Sequence, residues 1–208
     1  MHAVTPGVFA KYLTPKEETQ FFAAIKSHSG WVAERDFHAF KLMRNTGLRV
    51  GAAVQLTVED ARSALASGTL VVRDAISKRE LGHELALNDK IKGALKGLLE
   101  VRRKAKAGLA PEAPLILSRV CLGTEKPMSS RGLQLRARHW AQTAGLALKV
   151  TPHWFRHTFG QRLMRDSTAE NKLAVVGAAL NHRSLSSTMV YTRPTREEVA
   201  RAMAECAS

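Results

Sequence analysis

The sequence predicts a mainly α fold with a small antiparallel β-sheet (α+β), and three observations predict it. Apolar residues recur at three- and four-residue spacings through most of the 208 residues. Capping and stop signals punctuate those stretches. The region between about 62 and 87 breaks into short extended runs around a polar turn.

Taken in order, residues 1–13, with Pro6 and Gly7 and no periodicity, read as a linker, and the domain is expected over 14–208. Thr14-Pro15-Lys16-Glu17 is a capping box: Thr14 can accept from the amide three residues on, Pro15 suits the first helical position, and Glu17 reaches back. Phe21, Phe22 and Ile25 then supply an apolar face. A second helix over 32–45 buries Phe37, Phe40 and Leu42 or Met43 and stops at Gly47. A short helix runs through Val54 and Leu56, and the runs 69–73 and 84–87 form the predicted hairpin. From Asp89 a long helix carries Ile91, Leu95, Leu98 and Leu99 on one face, with Lys90, Lys92, Lys96, Arg102 and Arg103 expected on a solvated one. Residues 108–128, with Pro111, Pro114, Gly123 and Pro127, read as a loop holding one short strand at 115–117. Helices are predicted over 130–144, 152–165, 171–180 and 185–191, then as a tail near 195–205 with Val199, Ala200 and Met203 apolar.

A chain of this length buries roughly 70% of its unfolded surface and needs no covalent staple. Only Cys121 and Cys206 are present, far apart and without CxxC spacing, so neither a disulfide framework nor a structural zinc site is expected, and a reducing, intracellular setting fits best. Neither a secretory leader nor a run of about 18 apolar residues is present, so no membrane role is expected. The excess of 32 Lys+Arg over 18 Asp+Glu, a formal +14, favours a polyanionic partner through counterion release. Charge alone leaves DNA, RNA and a ribosomal setting open.

Two segments carry the chemistry: Thr151-Pro-His-Trp-Phe-Arg-His-Thr-Phe159 and Leu180-Asn-His-Arg-Ser-Leu-Ser-Ser-Thr-Met-Val-Tyr-Thr192. In the first, Pro152 opens a helix, and His153 and Arg156, three apart, are expected on one face near its N-terminus, where an anion is favoured. His153 and His157 are four apart, as in zinc-binding helices. Trp154 stands where such a motif needs glutamate and no third ligand is evident, so no metal is expected.

The first segment resembles the His-x-x-Arg-His motif of the tyrosine recombinases, and the second their Gly-His…Tyr motif. Upstream, Thr46-Gly-Leu-Arg49 is similar to the family's first arginine motif, with Leu56 and Asp60 at its usual following offsets, and Lys78 sits nine residues before Leu87 as the family's hairpin lysine does. The resemblance runs from about residue 11 to 200 and implies the tyrosine recombinase catalytic-domain fold. It implies a site-specific recombinase or integrase that cleaves and rejoins DNA through a 3′-phosphotyrosine at Tyr191, with no cofactor. Arg49 and Arg156 would hold the nonbridging oxygens, Lys78 protonate the leaving 5′ oxygen, His153 accept the tyrosine proton and His182 donate to the phosphate. His157 is expected either to support the site or to be an ordinary buried histidine. Ser130, Arg131 and Gln134 open a helix that by resemblance enters the major groove, the alternative being a capped, solvent-facing turn.

The resemblance also implies double-stranded DNA as partner, a homotetramer on paired sites, accessory DNA-bending proteins, and a cytoplasmic, nucleoid-associated location. A type IB topoisomerase-like nicking-closing activity and a non-catalytic DNA-binding relative are the alternatives. Three residues depart from the pattern: Ala52 where glutamate is usual, Asn181 where glycine precedes the histidine, and Gly160 where alanine is common. The family's upstream core-binding domain is absent from this sequence, so 1–13 reads as the linker from it, and the chain alone is expected to bind DNA weakly and recombine poorly.

Overall fold

The computed structural model describes residues 12–73, 82–118, 126–146, 149–182, 184–192 and 203–206. In order these form α1 (Pro15–Lys26), α2 (Trp31–Thr46), α3 (Val50–Ala53), α4 (Val58–Ser67), β1 (Thr69–Val72) and β2 (His83–Ala86). There follow α5 (Asp89–Lys104), α6 (Ser130–Thr143), α7 (Pro152–Asp166), α8 (Lys172–Ala179), α9 (Leu185–Thr188) and a 3₁₀ turn at Met189–Thr192. The predicted α+β class is the one adopted. The chain divides into two compact units, Met1–Phe159 and Gly160–Ser208, with the boundary inside α7.

In the first unit, local signals set the helix ends. The Thr14 amide donates to Glu17 Oε2 at 2.8 Å while the Glu17 amide donates to Thr14 Oγ1 at 3.3 Å, which makes both halves of the predicted capping box. Gly47 ends α2 at φ +66°, and its amide returns to the Met43 carbonyl. A second capping box, Thr57 with Asp60, starts α4, a helix that the sequence reading passed over although Thr-x-x-Asp was visible there. Its two bonds, Thr57 N–H to Asp60 Oδ2 at 2.8 Å and Asp60 N–H to Thr57 Oγ1 at 3.1 Å, fix where α4 begins. The strands pair antiparallel, Thr69 opposite Ala86 and Val72 opposite His83, with Leu70, Val72 and Leu85 inward. The turn between them, residues 74–81, which includes Lys78, lies outside the described residues.

The core forms where α2 packs against α1 and α5, with α6 against α1 and α4 against β1. An aromatic cluster sits at its centre: Phe21 is edge-on to Phe22 at 5.5 Å and to Phe40 at 5.4 Å, and Phe40 stacks on Phe155 at 5.1 Å. Each such pair adds about 0.5–1.5 kcal/mol beyond the area it buries. Phe37, expected in this core, is half-buried beneath the ammonium groups of Lys26 and Lys41.

Several expectations change. Arg102, placed on the solvated face of α5, is fully buried: its guanidinium donates to the Gly108 carbonyl at 2.9 Å and to that of Pro114, satisfying backbone that the 108–118 loop cannot pair with itself. The expected strand at 115–117 is no strand. Leu115, Ile116 and Leu117 are buried, but only isolated bridges form, Thr57 with Pro114 and Leu117 with Pro127. Leu13, counted in the linker, is buried and its amide donates to Thr158 Oγ1 at 3.0 Å, so packing reaches one residue further upstream.

A polar knot ties α2 to α6. Asp36, fully buried, accepts from Arg35 Nε at 2.9 Å, from Arg136 Nε at 2.5 Å and from Trp140 Nε1 at 2.8 Å. Arg35, equally buried, also reaches the Leu117 carbonyl at 3.2 Å.

In the second unit α8 packs with α9 and the 3₁₀ turn. Of the tail, residues 203–205 are helical and 193–202 lie outside the described residues.

Candidate active site

Arg49 issues from the turn that ends α2. Thr46 turns its hydroxyl back to the Leu42 carbonyl at 2.8 Å and accepts the Leu48 amide at 3.3 Å, Gly47 takes the left-handed conformation, and Leu48 is buried. Those three residues leave Arg49 extended and half-buried, ahead of α3. Ala52, at the position of the usual glutamate, is 6% exposed and packs in the core.

The rotation of α7 is fixed by apolar packing. Phe155 is fully buried in the aromatic cluster, and Thr158 is held between the Trp154 carbonyl at 2.9 Å and the Leu13 amide. That setting turns Arg156 inward, where it is 4% exposed and its Nη1 donates to the Gly47 carbonyl at 2.7 Å. The second arginine is thereby anchored to the turn that presents the first, 109 residues away in sequence. The turn that carries Arg49 thus also fixes the guanidinium that α7 presents.

His153, one turn earlier, is exposed, and its ring packs edge-on to His157 with centroids 4.5 Å apart. The expected shared face of His153 and Arg156 therefore divides into an outward imidazole and a buried guanidinium. His157 is half-buried. No cluster of three His, Cys, Asp or Glu side chains suited to a metal occurs among the described residues.

In the second unit, α8 ends in a Schellman motif: the Asn181 amide returns to Ala178 O at 3.0 Å and the His182 amide to Gly177 O at 2.9 Å. Asn181 sits at φ +50°, which explains how it stands in for glycine, because asparagine tolerates the left-handed region better than other side chains. The His182 ring lies parallel to that of Tyr191, 10° between planes and 6.2 Å between centroids. Its Nδ1 is 2.9 Å from the hydroxyl of Thr188, a buried residue that the sequence reading missed and that no local pattern marks. Tyr191 is 5% exposed and lies against the bare Cα of Gly160: a Cβ there would stand 2.5 Å from Tyr191 Cε1. The third departure thus has a steric partner.

On α6, Leu133, Ala137, Trp140 and Ala141 face the core while Arg131 is exposed and Ser130 and Gln134 are half-buried. The cap is Ser129, whose hydroxyl accepts the Gly132 amide at 2.9 Å. Arg138, exposed seven residues after Arg131, extends this outward face, and its heptad spacing could have shown it.

Residues 11–198 match the family model described as the phage integrase family. The chain belongs to the phage integrase family. Among this integrase-family chain's relatives, tyrosine recombinase XerC of Thermodesulfovibrio yellowstonii is 29% identical over 186 residues, covering 88% of this chain and 57% of the relative. XerC of Neisseria meningitidis serogroup B is 32% identical over 170 residues, covering 82% and 51%. The integrase-family chain thus spans little more than half the length of these relatives. Of solved structures, XerA recombinase superposes with a TM-score of 0.72 at 20% identity, covering 100% of this chain and 67% of that one. The Tn1549 transposon integrase in complex with circular intermediate DNA gives 0.71 at 19%, covering 99% and 68%. Both likenesses bear out the predicted catalytic-domain fold.

Proposed function

We propose that this chain is the strand-cleaving and rejoining domain, residues 14–208, of a tyrosine site-specific recombinase acting on double-stranded DNA. The observation that carries the reading is the hydrogen bond from Arg156 to the Gly47 carbonyl, which anchors two motif arginines at one turn. A phosphodiester repels nucleophiles, and a tyrosine hydroxyl near its ordinary pKa of about 10 is protonated at neutral pH. Arg49 and Arg156 neutralise the nonbridging oxygens, most strongly as the pentavalent state gathers charge. Tyr191 Oη forms the new P–O bond as the bond to the 5′ oxygen breaks, His153 takes the tyrosine proton, Lys78 gives one to the leaving oxygen, and His182 donates to the phosphate. His157 steadies His153 through the edge-on ring contact. The phosphotyrosine ester keeps the free energy of the broken bond, so a 5′ hydroxyl reseals the strand without ATP.

Ser130, Arg131 and Gln134 read the major groove from α6. Exchange requires a homotetramer on paired DNA sites, assisted by DNA-bending proteins, and a cytoplasmic, nucleoid-associated location. No helix among the described residues is long and apolar enough to cross a membrane.

The test is adduct trapping on a pool of nicked duplexes of randomised sequence, in low salt. Wild type is expected to yield a covalent protein–DNA band that Tyr191→Phe abolishes; an adduct persisting in that variant, or none from wild type, rejects the reading. Strand exchange between two recovered sites, as against relaxation of one plasmid, separates recombinase from topoisomerase.

A further inference from the structure

We infer that Thr188 is a positioning residue that determines which ring nitrogen of His182 carries the proton; the inference rests on the strand-cleavage reading above. Thr188 Oγ1 is 2.9 Å from His182 Nδ1, and Thr188 is 1% exposed, so water does not compete for the hydroxyl. Both partners pack at the end of α8: the Gly177 carbonyl accepts the His182 amide at 2.9 Å, and Thr188 Oγ1 lies close to Gly177, 3.3 Å from where a Cβ would stand.

A neutral imidazole has one N–H and one bare nitrogen, and the partner of one nitrogen dictates the state of the other. When the Thr188 hydroxyl donates to Nδ1, the ring proton resides on Nε2 and Nε2 is a donor. With the proton on Nδ1 instead, Nε2 would turn a lone pair toward the phosphate oxygens and repel them. Only the first arrangement lets His182 donate to the phosphate. Thr188 never touches DNA in this scheme; it acts through the ring.

The test uses the full 208-residue chain with ¹⁵N-labelled histidine, the His182 signals being identified by their loss in His182→Gln. At about pH 8, above the ordinary histidine range, wild type is expected to show a protonated Nε2 and a bare Nδ1. Thr188→Val, which keeps the side-chain shape, is expected to give a mixture of tautomers, and Thr188→Ser, which keeps the hydroxyl, to restore the wild-type pattern. On the nicked pool, Thr188→Val should form adduct about 10- to 100-fold more slowly, by analogy with the loss of a partner that orients a metal-bound histidine, with DNA binding unchanged and Thr188→Ser within a few-fold of wild type. A protonated Nδ1 in wild type, an unaltered tautomer in Thr188→Val, or an altered tautomer with wild-type adduct rate overturns the inference. The tautomer measurement needs no DNA. Absence of any adduct from wild type therefore counts against strand cleavage, while the nitrogen spectra still decide the role of Thr188.

Discussion

Replacing Gly160 by alanine puts a methyl group where the Tyr191 ring now lies. The new Cβ would stand 2.5 Å from Cε1 and 2.6 Å from Cζ, whereas carbon atoms settle about 3.5–4.0 Å apart. The ring must therefore retreat by about 1 Å. It is 5% exposed and parallel to His182, so retreat means rotation out of its seat rather than a small slide. Overpacking costs about 1–3 kcal/mol, and alanine in place of glycine within a helix returns about 1 kcal/mol. The expected balance is a loss of about 1 kcal/mol in urea denaturation, with the ring displaced. The chain has only two tyrosines, so in a Tyr12→Phe background nitration by tetranitromethane reports on Tyr191 alone. Gly160→Ala is expected to raise its nitration rate several-fold. A variant that gains stability and leaves the nitration rate unchanged would refute the packing of Tyr191 on Gly160.

Three further outcomes follow from single contacts. Asp36→Ala strips two arginines of their buried carboxylate and should cost about 3–5 kcal/mol in urea denaturation, against a null result if the Arg35 and Arg136 bonds are incidental. Asn181→Gly should match or exceed wild-type stability while Asn181→Ala loses about 1 kcal/mol, the cost of a left-handed residue without asparagine's local bonding. Burial of His38 against α5 lowers its pKa, with Lys104 adding to the fall and Glu34 opposing it. The folded state then binds this proton less readily than the unfolded chain, so its contribution is present above the unfolded value of about 6.5 and is lost as pH falls below it. Urea midpoints across that range should drop on acidification, and less so in His38→Gln.

Much of the local structure was legible. Thr14 to Glu17 declared the start of α1, Gly47 the end of α2, and the runs 69–73 and 84–87 the hairpin, because each signal acts between residues a few positions apart. The family was legible too, through the resemblance carried by Arg49, the 151–159 segment and the 180–192 segment. Illegible were the partners of charge. Arg102 looked like a solvated residue of an amphipathic helix, and only the path of the 108–118 loop made it the donor for that loop's carbonyls. Thr188 carried no sign at all, because its meaning depends on where the ring of His182 falls.

The sequence by itself determined most of the helices and the caps that begin or end them, such as Thr14 with Glu17 at α1 and Gly47 at α2, though not α4. Tertiary structure alone decided that α7 turns Arg156 inward to the Gly47 carbonyl, that Asp36 gathers Arg35, Arg136 and Trp140, and that Gly160 makes room for Tyr191. The reason is physical: capping and periodicity depend on neighbours within one or two helical turns, whereas burial of a charge or seating of a ring depends on surfaces brought together from distant segments.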